Sequence, residues 1–147
     1  MTNAQTDKQV AHRLSDLGVR YTAGRRAVVA GLANGEGPMT VTELQSTLSV
    51  PIPLSSLYRS LSVLSEAGIV SPHHSGHGAT RFELAEWLTG HHHHLVCVSC
   101  GSVNDIEISS DHEQGLKDLV SALAAGSDFA ATDHSLEIDG ECRECRR

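Results

Sequence analysis

Residues 91–101 read HHHHLVCVSCG, His91 to Gly101, and residues 142–145 close the pattern with Cys142-Arg143-Glu144-Cys145. Cys97/Cys100 and Cys142/Cys145 are two CxxC pairs. A two-residue spacing lets both sulfurs of a pair turn toward one point, about 3.5–4 Å apart, as tetrahedral Zn²⁺ requires. Two such pairs fill a closed four-sulfur site with no open position, which makes it structural rather than catalytic. The 41 intervening residues exceed the roughly 15–20 of a simple zinc ribbon. The site therefore ties the strand that starts near His94 to residues far along the chain. A pair of redox thiols is the alternative, but a thioredoxin-type CxxC sits at a helix N-terminus after a βαβ strand, and neither pair does.

The four histidines lead directly into Leu95-Val96-Cys97. In an extended segment alternate side chains face opposite ways. His91 and His93 then point to one side and His92 and His94 to the other, so one run feeds two metal sites. A solvated polar loop is the plain alternative, and a purification tag would be terminal. Further donors are needed: His73, His74, His77, Glu83, Glu107, Asp111, His112, Glu113 and His134 are the candidates, and composition does not choose among them.

Upstream, Gln5 to Leu17 reads as a helix ended by Gly18, and Thr22 caps a second helix through Leu32. Thr40 with Glu43 forms a capping box for a short helix to about Leu48, and Pro51 and Pro53 bar its continuation. In PLSSLYRSLSVLSEAG, residues 53–68, Leu54, Leu57, Leu61 and Leu64 fall on one helical face, with Ser55 as N-cap and Gly68 as αL terminator. Ser56, Tyr58, Arg59 and Ser60 lie off that face, toward solvent or a partner. Ile69–His74 and Ala79–Leu84 read as strands joined by a turn. Helices followed by a hairpin is the order of a winged helix-turn-helix.

The expected organisation is a winged helix over residues 1–84, a hinge over 85–90 and a metal-binding dimerisation domain over 91–147. The last has strands at His94–Val98, Ile106–Ile108 and Ser135–Ile138, a helix from Asp111 to about Ala125, and an α+β arrangement with antiparallel strands. Charge divides the same way. The net charge is −7, yet residues 1–84 carry seven Lys/Arg against six Asp/Glu, and residues 85–147 four against twelve. The acidity belongs to the second part, leaving the first free to approach phosphate. Only five residues are aromatic, which argues against a large aromatic-lined ligand cavity. No apolar run approaches the roughly 20 residues of a membrane span, and the polar N-terminus lacks a signal-peptide core, so a cytoplasmic location is expected.

These segments resemble the ferric-uptake-regulator family over nearly the whole chain. YTAGRRAVV (21–29) is similar to the family's second helix and PLSSLYRSLSVLSEAGIV (53–70) to its recognition helix. TRFELAE (80–86) is similar to its wing strand, HHHHLVCVSCG to its most specific motif and DHSLEIDGECREC (133–145) to its end. The resemblance implies a homodimeric repressor, not an enzyme, that holds an AT-rich palindrome in double-stranded DNA when metal is bound. Tyr58 would contact a thymine, Arg59 a phosphate or base edge, Arg25 a phosphate, and Ser56 would lie on the same DNA-facing surface.

It also implies a hinge site of Glu83, His92, His94 and Glu107, and a second site of His91, His93 and His134. An acidic residue on the helix completes the second site: Glu113 is the choice, with Asp111 and His112 as competitors. Two departures stand out. Many members place a histidine just before the third helix, where this chain has Pro38. His74 or His77 from the wing would replace it, as in the nickel-sensing branch. The zinc-sensing branch commonly adds a hinge cysteine; here the position is Ser71, and no cysteine is spare. The implied cofactors are a structural Zn²⁺ and a regulatory divalent cation, Zn²⁺ first and Fe²⁺ next, with Ni²⁺ and Mn²⁺ also compatible with imidazole and carboxylate donors. The competing functions are a metal-buffering or interaction module without DNA binding and a zinc deaminase. The deaminase needs H-x-E and P-C-x-x-C, and neither CxxC here follows proline.

Overall fold

The computed structural model describes residues 3–74, 76 and 78–147. In chain order the elements are α1 (Asn3–Asp16), α2 (Ala23–Ala33), β1 (Met39–Thr40), α3 (Val41–Thr47), α4 (Leu54–Glu66), β2 (Val70–His73), β3 (Arg81–Leu84), α5 (Glu86–Thr89), β4 (His93–Cys97), β5 (Val103–Ile106), α6 (Ser110–Gly126) and β6 (Glu137–Gly140). Helices α1–α4 pack on an antiparallel sheet of order β1-β3-β2. A second sheet has order β5-β4-β6. This is the α+β winged-helix architecture with a small following sheet domain.

Local chemistry sets the helix ends. Thr22 Oγ1 accepts the Arg25 backbone N–H and starts α2. Thr40 and Glu43 form the expected capping box of α3. For α4 the expected cap is corrected: Pro53, not Ser55, is the N-cap residue, without a side-chain bond. Its φ of −56° is pre-set for a helix start, and its carbonyl accepts the N–H groups of Ser56 and Leu57. At the other end Gly68 sits at φ +69°. There the Ile69 N–H returns to Leu64 O, the left-handed termination for which glycine carries no Cβ penalty.

One continuous core holds the first part. Val10, Leu14, Val28, Leu44, Leu57, Leu61, Leu64 and Ile69 are fully or almost fully buried within it. Leu88 from α5 belongs to the same cluster, so the segment 85–90 is not a bare linker: it contains one helical turn seated on the first core.

The second sheet differs from its expectation in two ways. β4 and β5 are antiparallel, but β6 runs parallel to β4, because β5 ends beside the start of β4 and the excursion through α6 and residues 127–136 re-enters the sheet at that same end. β5 also starts earlier than expected, at Val103. The knuckle after Cys97 is tight, with Gly101 N–H on Cys97 O and Cys97 N–H on Ser102 O, both at 2.8 Å. The chain is therefore already paired at Val103.

Arg81 and Gly37 provide two of the contacts that join the parts. Arg81 of β3, buried to 8% exposure, donates to Gly101 O at 2.7 Å, to Pro38 O at 3.1 Å and to Glu43 Oε2 at 2.7 Å. Gly37 lies so close to β5 that a Cβ there would stand 2.9 Å from Val103 O and 3.2 Å from Asp105 N. Among the described residues no helix is long and apolar enough to cross a membrane.

Candidate metal centres and the DNA-facing helix

Three groups of donor side chains converge, each with its ligand atoms within 4.8 Å of one another. The first is Cys97, Cys100, Cys142 and Cys145. Cys100 Sγ and Cys142 Sγ are 3.9 Å apart, too far for a disulfide and right for two ligands of one ion. Backbone N–H groups aim at the sulfurs: Cys142 N–H donates to Cys97 Sγ at 3.3 Å. That amide, followed by the Cys100 amide, pulls the Cys97 thiol down to about 6. Cys145 is pushed up to about 12 by the sulfurs of Cys142, Cys100 and Cys97 around it. Four sulfurs this close do not all ionise unaided, and a divalent cation supplies the charge that lets them.

The second group is His91, His93, Glu113 and His134. His93 is 2% exposed, and its Nε2 meets Glu113 Oε2 at 3.0 Å. Ser109 caps α6, which places Glu113 one turn on, facing the strand. His112 is held at the helix start by Ser109 Oγ, and Asp111 is exposed; neither joins the group. His93 Nδ1 is buried without a hydrogen-bond partner among the described residues, and the buried Glu113 Oε1 and His134 Nε2 face each other at 3.2 Å in ion-pair rather than hydrogen-bond geometry. Three imidazoles gathered on one partly buried carboxylate are a donor set that a cation would satisfy. The Glu113 carboxyl is held below its usual range, chiefly by the His93 hydrogen bond.

The third group is Glu83, His92, His94 and Asp105. Glu83 comes from β3 in the first part, the others from the run and from β5. Glu83 Oε2 lies 3.0 Å from His92 Nε2 and 3.3 Å from His94 Nε2. Asp105 Oδ1 is 3.7 Å from His94 Nε2. Burial pushes the Glu83 carboxyl up, but the hydrogen bonds to His94 and His92 outweigh it and hold it low. Burial works against charging His92, and the Gly90 carbonyl and Glu83 reverse the sign, raising it.

Two expected members of this group are corrected. Glu107 is not there; Asp105 takes the place, because the early start of β5 sets Asp105 opposite His94, while Glu107 lines the cavity around His91 and His93. His74 is not there either: it bonds Thr80 Oγ1 at 3.1 Å in the wing. Its neighbour His73, on the other face of β2, lies edge-on to His94 at 4.8 Å and 2.9 Å from Glu137. His77 lies outside the described residues. Asp105 carried one signal in the sequence, a carboxylate two residues before Glu107; His73 carried none that separated it from His74.

On α4, Ser56, Tyr58 and Arg59 are exposed, and Tyr58 shows 53% of its surface. Arg25 is half-buried and donates to Arg20 O. Arg26 pairs with Asp7 and stacks over Tyr21.

The model of the ferric uptake regulator family matches residues 16–139. The chain is 29% identical over 143 residues to the peroxide operon regulator of Bacillus subtilis, covering 95% of this chain and 93% of that one. It is 30% identical over 136 residues to the peroxide-responsive repressor PerR of Staphylococcus epidermidis, covering 90% and 85%. The crystal structure of the Vibrio cholerae ferric uptake regulator superposes with a TM-score of 0.71 at 32% identity, covering 90% of this chain and 98% of that one. A capped winged helix, four sulfurs and two histidine-carboxylate groups on one strand thus coincide with a match over most of the sequence. The chain belongs to the ferric uptake regulator family, whose members are metal-responsive DNA-binding regulators and not enzymes.

Proposed function

We propose that this chain is a cytoplasmic homodimeric repressor of metal-uptake genes that grips an AT-rich palindromic operator when its hinge group, Glu83, His92, His94 and Asp105, holds a divalent cation, Zn²⁺ first and Fe²⁺ next. The observation that carries the reading is the origin of those four side chains. Glu83 moves with the wing; His94 and Asp105 belong to the second sheet. Anything that bonds all four fixes the angle between the reading helix and the dimerisation unit. A bound cation supplies the directional bonds. Glu83 then anchors the wing, and His92 and His94 anchor the sheet. Tyr58, Arg59 and Ser56 of two copies are thereby held at one half-site spacing. The second group, His91, His93, Glu113 and His134, is proposed as a further cation site, and the four cysteines as structural Zn²⁺ ligands. Leu119, Leu123 and Phe129 leave an exposed apolar surface on and after α6, which supports a second copy as its cover.

The test is operator affinity under buffered Zn²⁺, Fe²⁺, Ni²⁺ and Mn²⁺. Exchanging His92 and His94 for Ala is expected to remove metal-dependent binding and leave the dimer intact; repression that survives overturns the hinge assignment. Because the imidazoles bind as neutral rings, operator affinity is expected to fall as pH drops toward about 6.5.

A second reading is a peroxide response. Two curated relatives are peroxide regulators, and the hinge set of two imidazoles, two carboxylates and no sulfur suits Fe²⁺ or Mn²⁺ as well as Zn²⁺. Operator release by peroxide with Fe²⁺ bound, and none with Zn²⁺ bound, selects it.

A further inference from the structure

Helix α5 is a single turn whose consecutive residues face different parts of the molecule. Leu88 is buried in the core of the first part, at 2% exposure. Trp87, the chain's single tryptophan, donates from Nε1 to Gly68 O at 2.7 Å. Gly68 is the left-handed residue that ends α4. Glu86 reaches the other way. Its Oε1 is 3.2 Å from His91 Nδ1. The second ring nitrogen of His91, Nε2, faces the second donor group, 3.6 Å from Glu113 Oε1.

A carboxylate on one imidazole nitrogen fixes the tautomer and aims the other nitrogen at a metal, and losing such a partner commonly weakens metal binding 10–100-fold. Glu86 stands in that relation to His91. Because its neighbour Trp87 grips the end of α4, the turn that orients a ligand also braces the helix carrying Tyr58 and Arg59.

We propose that α5 couples the second donor group to the reading helix: Glu86 is a positioning residue for His91, and Trp87 passes the ordering of that group to the C-terminal end of α4. The proposal rests on the reading of His91, His93, Glu113 and His134 as a divalent-cation site. It differs from the hinge mechanism because, among the described residues, the polar partners of the Glu86 and Trp87 side chains are His91 and Gly68, not Glu83, His92, His94 or Asp105.

The experiment uses the full chain with its four-sulfur zinc loaded and with His92 and His94 exchanged for Ala, so that the second group titrates alone. Zn²⁺ is added under buffered conditions while calorimetry reads affinity and Trp87 emission reads its surroundings. The expected result is an emission change that saturates together with the calorimetric binding. Glu86→Ala is expected to weaken that affinity roughly 10-fold or more, with partial recovery in Glu86→Gln.

In the chain with an intact hinge, Trp87→Phe keeps the ring and removes the donor. It is expected to leave second-group affinity unchanged and to lower operator affinity at saturating metal roughly fivefold, the size of one net hydrogen bond. Binding with an unmoved Trp87 emission overturns the coupling, and so does affinity within twofold in Glu86→Ala. If the parent binds no Zn²⁺ at the second group, the cation-site reading itself fails and the coupling falls with it.

Discussion

The two parts of the molecule are held together by different physics. In residues 3–88 a contiguous apolar cluster runs from Val10 of α1 to Leu88 of α5. In residues 91–147 the buried side chains are few: Val96, Cys97, Val103 and His93. Helix α6 buries none of its residues, and every residue of β6 is exposed. A 17-residue helix that buries nothing does not hold its place by apolar packing. Besides the strand pairing of β5-β4-β6, what this part offers in place of a core is its three converging donor groups and the exposed leucines of α6, the features on which the proposed cations and partner copy rest. Hydrophobic burial builds the part that carries α4, and on the proposed reading coordination builds the other. The first should then be indifferent to chelators and the second dependent on them.

The largest expected effect breaks the comparison from the metal side. Structural zinc sites contribute on the order of 10 kcal/mol to folding. Cys97→Ser, or a strong chelator, is expected to open residues 91–147 to hydrogen exchange while the amides of α2 and α4 stay protected, and to abolish the dimer. Uniform loss of protection would show that the core of the first part leans on the zinc. From the apolar side, Leu57→Ala removes a fully buried side chain. It is expected to cost about 2–5 kcal/mol in urea unfolding of the first part while the four-sulfur site keeps its zinc. Loss of that zinc would mean the two parts fold as one unit.

A smaller effect lies at their border. Partial burial pushes the Glu43 carboxyl up, but the Thr40 amide and the Arg81 guanidinium outweigh it and hold it below its ordinary 4.5. A depressed carboxyl stabilises the fold above its unfolded value and loses that contribution as pH falls through the folded one. Glu43→Gln is therefore expected to lower stability by about 1 kcal/mol at pH 7, the scale of one cap. Its difference from the parent should shrink as pH falls below the ordinary 4.5 and the depressed carboxyl takes up its proton, as followed by thermal melts. A difference that persists in acid would assign the effect to packing rather than charge.

Much of this was legible in the sequence where a spacing rule is local. Two CxxC pairs name their own geometry, and the alternation of a strand separates His91 and His93 from His92 and His94 without knowledge of the rest of the fold. The capping box at Thr40 and the αL glycine at Gly68 are equally local. The misses around the donor groups are questions of register. Asp105 displaced Glu107 because the turn after Cys97 decides where β5 begins. His73, not His74, came to lie against His94 because one residue along a strand is the opposite face. The parallel course of β6 depends on where α6 returns the chain, which no window of sequence contains. Glu86 and Trp87 sit in a stretch that reads as a linker; their roles come from Gly68 and His91, brought there by folding.

Gly37 gives the border a mechanical consequence. Its missing side chain lets the loop before β1 rest on the backbone of β5, within a few residues of Asp105. A single methyl at this point would act as a shim: it would stand 2.9 Å from the Val103 carbonyl oxygen, so backbone must shift, without removing a candidate ligand or a charge. On the proposed hinge reading, a change at this seam is expected to move the free cation level at which the operator is half occupied, by sterics alone. Gly37→Ala tests that dependence while leaving every candidate donor atom untouched.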